Sequence, residues 1–178
     1  QDSVQKALEK FQLHTTAPIL ALCPGAAFGP AKRWPEKYFI EIAQQKLAAG
    51  WQIWLFGSQQ DEPVVAAIQQ QLKGDVTSFA GKLSLLETID LLSVVKAVVA
   101  NDSGLLHMAA SLDIPVVGIY GSTTPNFSPP LSLKAQVLKE NLPCSPCFKR
   151  ECRYGHLNCM YLIKPERVLD AIDRLEKM

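Results

Sequence analysis

The stretch AVVANDSGLLHMAASL, residues 97–112, changes from the pattern of a buried strand to that of a helix. Residues 97–100 are short and apolar throughout, and residues 105–112 have helical spacing. The same change recurs on both sides of this stretch. Further strands are predicted at residues 19–23, 52–56, 76–79, 116–120 and 135–138, and further helices at residues 4–11, 35–49, 62–72, 85–94 and 166–177.

Apolar strands that alternate with helices indicate an α/β fold, a doubly wound parallel sheet with helices on both faces. The 178 residues suit one domain. We expect an N-terminal helix and linker at 1–17, a core at 18–164 with a cysteine-rich segment at 143–160, and a C-terminal helix at 165–178. In such sheets ligands bind outside the carboxyl ends of the strands, so the loops after strands are the places to look for a site.

Composition excludes several classes of partner. Eighteen basic and seventeen acidic residues give a net charge of +1, so we expect no nucleic-acid partner. No apolar run reaches the ~18 residues of a membrane span, and residues 1–14 lack the pattern of a signal peptide. We therefore expect a cytoplasmic protein with at most peripheral membrane contact. The chain begins with Gln1 rather than Met, and we expect the protein to continue before it.

Two loops have the composition of an anion site. Residues 24–35, PGAAFGPAKRWP, combine small residues with Lys32 just before a helix, although the spacing is not that of a P-loop. In the second loop, Asp102 or Ser103 can cap a helix whose first turn Gly104 leaves unobstructed. His107 can reach the same ligand or pack under the loop. An ordinary turn and a plain capped helix remain the alternatives.

A third loop, residues 57–62, places Asp61 at the start of a helix. A carboxylate after a strand can hold the hydroxyls of a ribose, although an acidic residue in a first helical turn is also favoured by the helix dipole. Taken together, backbone amides, a lysine and a carboxylate at one sheet edge favour a nucleoside-diphosphate site. A nucleotide sugar is the ligand that we expect.

The motifs GPAKRWP (29–35), FGS (56–58), NDSG (101–104) and YGSTTP (120–125) resemble the donor domain of the ADP-heptose:lipopolysaccharide heptosyltransferases. The resemblance extends over residues 18–130 and the last helix. It implies the C-terminal half of a two-domain GT-B glycosyltransferase, which moves heptose from ADP-heptose to the inner core of lipopolysaccharide with inversion. It also implies that no cofactor or catalytic metal is required and that the protein works at the inner face of the inner membrane.

The resemblance further implies a role for individual residues. Lys32 would hold the phosphate and sugar, and Asp102 the heptose hydroxyls, which makes these two the catalytic candidates. Asp61 would bind the ribose, and adenine would pack on Leu83. The donor-binding set as a whole is Ala26, Ala27, Lys32, Asp61, Leu83, Asp102, Ser103, Gly104, Leu105 and His107. The general base belongs to an N-terminal acceptor domain that this chain does not contain, so we expect the fragment alone to be inactive.

Four of the five cysteines fall in one short segment, which the resemblance does not explain. Their order, Cys144, Cys147, Cys152 and Cys159 with His156 among them, fits free thiols, a structural zinc site or a disulfide. A reducing compartment disfavours the disulfide. Two other functions therefore stay open at this point. One is a different GT-B nucleotide-sugar transferase or epimerase, and the other is a zinc-stabilised interaction module.

Overall fold

A computed structural model describes residues 2–177, so the predicted limits at residues 1 and 178 lie outside the described part. The strands are β1 (Ile19–Cys23), β2 (Gln52–Leu55), β3 (Val76–Ser78), β4 (Ala97–Asn101), β5 (Val116–Tyr120) and β6 (Ala135–Lys139). The helices are α1 (Asp2–Lys10), α2 (Glu36–Ala48), α3 (Glu62–Gln70), α4 (Leu85–Leu92), α5 (Gly104–Ser111), α6 (Asn158–Tyr161) and α7 (Pro165–Leu175). The short helix α6 and the 3₁₀ turns Pro30–Lys32 and Gln59–Asp61 were not predicted from the sequence.

The six strands form one parallel sheet in the order β3-β2-β1-β4-β5-β6, which confirms the predicted doubly wound fold. The strand order reverses between β1 and β4. At such a reversal the loops that follow the two central strands diverge to opposite faces and leave a crevice between them. The topology therefore places the loop that carries Lys32 beside the loop that carries Asp102.

Helices cover both faces of the sheet because alternate strand residues point to opposite sides. In β1, Leu20 and Leu22 pack in one apolar cluster with residues of α2, α3 and α7. Their neighbours Ile19, Ala21 and Cys23 pack in the other cluster, with residues of α1, α4 and α5. No helix within residues 2–177 is long and apolar enough to cross a membrane.

The start of α4 shows how local sequence sets a helix boundary. Ser84 is the N-cap, its hydroxyl accepts from the Glu87 amide at 3.2 Å, and the Glu87 carboxylate accepts from the Ser84 amide at 2.8 Å. Lys10 of α1 donates to the same carboxylate at 2.5 Å. Hydrogen bonds from Lys10 and from Ser84 lower the pKa of Glu87 to about 2. This carboxylate therefore both caps α4 and ties α1 to it.

Candidate functional site

Two adjacent cavities open at the carboxyl ends of the strands. The first has a volume of about 390 Å³ and is lined by Gly25, Ala26, Ala27, Phe56, Gly57, Ser58, Asp61, Leu83, Leu85, Thr88, Ser103, Gly104, Leu105 and Met108. The second, of about 450 Å³, is lined by Phe28, Lys32, Asp102, Ser103, Gly104, His107, Thr123, Thr124, Phe127, Ser128 and Phe148. A larger cavity of about 630 Å³ lies at the opposite edge, where the strands begin. Ligands of this fold bind at the carboxyl ends, so we take the two adjacent cavities as the candidate site.

The N-terminus of α5 separates the two cavities, because Ser103 and Gly104 line both of them. Ser103 is the N-cap residue, in extended conformation, but neither its side chain nor that of Asp102 caps the helix. Within residues 2–177 the buried Ser103 hydroxyl has no hydrogen-bond partner. The first amides of a helix have no intrahelical acceptor and carry the positive end of the helix dipole. This boundary is therefore suited to an anion that reaches into both cavities.

Of the two residues predicted as alternative caps, Ser103 occupies the N-cap position of α5, and the Asp102 carboxylate has other partners. Oδ2 accepts from Lys32 Nζ at 2.7 Å and from Thr123 Oγ1 at 2.6 Å. Only 14% of the Lys32 side chain and 6% of the Asp102 side chain are exposed. A lysine and a carboxylate from two different loops thus form one largely buried pair at the second cavity.

The loop that carries Lys32 is held at three points. Residues Pro30–Lys32 form a 3₁₀ turn, which directs the Lys32 side chain back toward β4. Trp34 is buried, and its indole nitrogen donates to the Ile163 carbonyl at 2.8 Å. At the start of the loop, the Asn101 side-chain amide donates to the Pro24 carbonyl at 2.8 Å. These contacts fix the position of the lysine before any ligand arrives.

His107 lies on the second cavity, one turn into α5. Its Nε2 is 3.1 Å from Ser128 Oγ and 3.6 Å from Asp102 Oδ1. Tyr120 lies behind it and donates to the Ser128 carbonyl at 2.6 Å. Burial raises the pKa of the Tyr120 hydroxyl, and the negative charge of Asp102 adds to the effect. The imidazole thus faces the site, which leaves it able to contact a ligand there.

Asp61 lies on the first cavity and is buried there. Its Oδ2 accepts from the Ser58 amide at 2.9 Å and from the Ser58 hydroxyl at 2.7 Å. A Cβ atom on Gly25 would lie 2.2–2.4 Å from the Asp61 carboxyl group, so only glycine allows this close approach. Burial raises the pKa of the Cys23 thiol, and the negative charge of Asp61 raises it further. Asp61 therefore closes the loop after β2 and lies directly against Gly25 of the loop after β1.

All ten predicted donor-binding residues line one of the two cavities or both. The structure brings them together, while their individual roles stay predictions. Three further residues of the second cavity were not predicted as site residues: Thr123, Phe28 and Phe148. The hydroxyl residues directly after β5 were a usable signal for Thr123, since that loop also opens at the carboxyl edge. Phe148 belongs to the cysteine-rich segment and had no comparable signal.

The four clustered cysteines surround a small cavity of about 20 Å³, together with His156. All four are free thiols. Hydrogen bonds from backbone amides, with that of Leu157 first, lower the pKa of Cys152. Burial, followed by repulsion from the other three cysteines, raises the pKa of Cys159 to about 11. Across residues 2–177 no three His, Cys, Asp or Glu side chains stand in a ready ligand arrangement, so the structural zinc ion stays a prediction.

Several known proteins that are similar to this chain are all named heptosyltransferases. Lipopolysaccharide heptosyltransferase 2 of Salmonella typhimurium is 38% identical over 169 residues, which cover 93% of this chain and 49% of the relative. Lipooligosaccharide heptosyltransferase 2 of Haemophilus influenzae is 43% identical over 142 residues, 75% of this chain and 41% of the relative. The solved structure of E. coli ADP-heptose lipopolysaccharide heptosyltransferase II matches with a TM-score of 0.88 at 35% identity, covering 99% of this chain and 51% of that one.

The chain thus spans about half the length of the relatives that it matches. The sequence profile of glycosyltransferase family 9 (heptosyltransferase) matches residues 1–158. This match covers most of the chain, including both cavities and the motifs that line them. The chain therefore belongs to glycosyltransferase family 9, the heptosyltransferase family.

Proposed function

We propose that this chain is the donor-binding half of a heptosyltransferase that transfers heptose from ADP-heptose to the inner core of lipopolysaccharide. The names of its relatives support this proposal, since they are lipopolysaccharide and lipooligosaccharide heptosyltransferases. The acceptor domain and the general base would lie outside this chain. The protein would act in the cytoplasm, with peripheral contact at the inner face of the inner membrane.

Each of the two cavities would hold a different part of the donor. In the proposal, ADP enters the first cavity, with adenine against the half-buried Leu83 and the ribose hydroxyls near Asp61. The diphosphate lies over the first amides of α5, where Gly104 offers no side chain. The heptose then enters the second cavity, between Lys32 and Asp102. This order follows the covalent order of the donor, with the diphosphate between the nucleoside and the sugar.

Inverting transfer needs two kinds of assistance. A base must take the proton of the acceptor hydroxyl, and negative charge that develops on the departing ADP must be stabilised. In the proposal this chain supplies the second through the α5 amides and Lys32, with no catalytic metal. Asp102 accepts from the Lys32 ammonium and holds it in place, and the Thr123 hydroxyl in turn donates to the Asp102 carboxylate. A fragment with only this half would bind donor and catalyse no transfer.

The observation that carries the proposal is the position of Ser103 and Gly104 between the cavities. A single anion-binding terminus with a cavity on each side suits a diphosphate that links two groups. The buried Ser103 hydroxyl, unpartnered within residues 2–177, adds an unused donor at that point.

The experiment is calorimetric titration of the purified chain with ADP, UDP and GDP. We expect ADP to bind most tightly, and ADP-heptose to bind at least as tightly as ADP. Preference for UDP or GDP would favour a different GT-B transferase or an epimerase. No binding of any nucleotide by a folded chain would overturn the proposal and favour an interaction module.

A further inference from the structure

The segment from residue 144 to residue 159, called here the cysteine clasp, has a single regular element, the start of the four-residue α6. Long irregular segments in compact domains usually have a function or need another means of support. Here four free cysteines, Cys144, Cys147, Cys152 and Cys159, converge on one small cavity. The four thiols of the clasp therefore lie close together in a segment with little secondary structure.

The backbone makes a tight turn directly after Cys152. Gly155 makes this tight turn possible, with a φ of 71° and an amide that donates to the Cys152 carbonyl at 3.0 Å. The turn brings Arg153, Tyr154, His156 and Leu157 to the same small cavity that the four cysteines line.

The clasp packs on the loops that form the second cavity. The Arg150 carbonyl accepts from the Ala31 amide at 3.0 Å, beside Lys32. The amides of Cys147 and Phe148 both donate to the Ser122 carbonyl, at 3.1 and 2.7 Å, next to Thr123. The aromatic ring of Phe148 lines the second cavity itself.

Glycine at position 29 makes the first of these contacts possible. Its φ is 153°, and a Cβ atom there would lie 2.6 Å from the Arg150 carbonyl oxygen. The loop that carries Lys32 is thus shaped to receive the clasp. By contrast, no residue of the clasp lines the first cavity.

We propose that Cys144, Cys147, Cys152 and Cys159 bind one thiophilic divalent cation, with zinc as the principal candidate, and that the metal-bound clasp holds the heptose end of the donor site in shape. Four thiolates at one point are the ligand set of structural zinc and of some iron sites. Binding releases the thiol protons and requires the four sulfurs to turn into the common cavity. The second part of this inference rests on the proposed function, whereas the first part does not.

Metal content tests the first part. Elemental analysis of the reduced chain should give about one zinc or iron ion per chain, and replacement by Co²⁺ should give the thiolate-to-cobalt absorption of a tetrahedral sulfur site. Cys147→Ser and Cys152→Ser, at partly exposed positions, should lose the metal. The matched control Cys23→Ala removes the cysteine outside the clasp and should keep it. Four thiols that react freely in metal-free protein, or a disulfide found by mass spectrometry, would overturn the metal site.

Donor binding tests the second part. In Cys147→Ser we expect ADP affinity within about twofold of wild type, and ADP-heptose affinity lower by roughly tenfold, as for one lost charge-assisted contact. Equal loss of both affinities, or loss of neither, would overturn the link between the clasp and the sugar end. If wild-type chain binds metal but no nucleotide, the proposed function fails while the metal site stands.

Discussion

The Asn101 side-chain oxygen accepts a hydrogen bond from the backbone amide of Trp34 at 3.0 Å. The same side chain donates to the carbonyls of Pro24 and Gly25, at 2.8 and 3.3 Å, so it bridges the two ends of the loop that carries Lys32. Asn101 is completely buried and ends β4. The residue after it is Asp102, the partner of Lys32. One amide side chain therefore aligns both halves of the ion pair.

Replacing Asn101 should damage stability and the site together. Asn101→Ala leaves the Trp34 amide and two carbonyls without their partner, which costs about 1–3 kcal/mol for each buried group that water does not reach. We expect lower stability in urea unfolding and weaker ADP-heptose binding. Asn141→Ala, at an exposed position outside both cavities, is the matched control. Wild-type stability in Asn101→Ala would show that the loop does not depend on this bridge.

Lys32→Ala should weaken donor binding without unfolding the chain. A charge-assisted contact to phosphate contributes roughly 1.5–3 kcal/mol, which corresponds to tenfold or more in affinity. The measurement is calorimetric titration with ADP-heptose, with circular dichroism to verify the fold. Lys73→Ala, an exposed lysine at the opposite edge of the sheet, should bind as wild type does. Unchanged affinity in Lys32→Ala would show that Lys32 pairs with Asp102 but does not contact the donor.

Asp102→Asn separates the charge of this residue from its hydrogen bonds. The amide oxygen can still accept from Thr123, but the ion pair with Lys32 is lost. We expect a folded protein, ADP affinity within about twofold of wild type, and weaker ADP-heptose binding. In an enzyme that also carries the acceptor domain, the transfer rate should fall by roughly an order of magnitude or more. A wild-type rate would remove Asp102 from the sugar-binding set.

Gly104→Ala tests the anion site with little risk to the fold. A Cβ atom at this position meets no atom within 4 Å, and alanine is favoured over glycine in a helix by up to about 1 kcal/mol. Stability should therefore be unchanged or higher. The added methyl group would stand where the diphosphate is proposed to lie, so ADP affinity should fall by roughly tenfold, as for one lost hydrogen bond to a charged group.

The control for this substitution is Ser111→Ala, at the exposed end of the same helix. It changes a side chain of α5 far from its N-terminus, and ADP affinity should stay at the wild-type level. Tight ADP binding by Gly104→Ala would move the diphosphate away from the α5 N-terminus.

Glu87 gives a pH dependence whose direction is fixed by its pKa. Its folded-state pKa is about 2, below the usual 4.5, so its charge stabilises the fold above pH 4.5 and this contribution disappears as the pH falls toward 2. Glu87→Gln should therefore lower Tm at neutral pH. The difference in Tm from wild type should shrink between pH 4.5 and 2, and Glu36→Gln, in the first turn of α2, controls for the loss of one negative charge. A difference independent of pH would assign the effect to packing.

The elements predicted most accurately from the sequence are those whose boundaries depend on neighbouring residues. The bounds of β1 and β5 were predicted to the residue, because each is an apolar run with a proline or glycine close to both ends. The first residue of α4, Leu85, was predicted correctly for a similar reason. Phe148 was missed because its position depends on packing between distant loops, and no sequence periodicity reports such contacts. The same holds for the contact between the cysteine clasp and the loop that carries Lys32.

The contact between Gly25 and Asp61 has a consequence for attempts to redesign the first cavity. The two positions behave as one unit, since any side chain at 25 would collide with the carboxyl group at 61. Lengthening the acid to glutamate would also displace the oxygen that closes the turn at Ser58. Libraries that vary position 61 alone should therefore return mostly misfolded or inactive clones. Functional variants should instead require paired changes at positions 25 and 61, in which a larger side chain at one position is matched by a smaller one at the other.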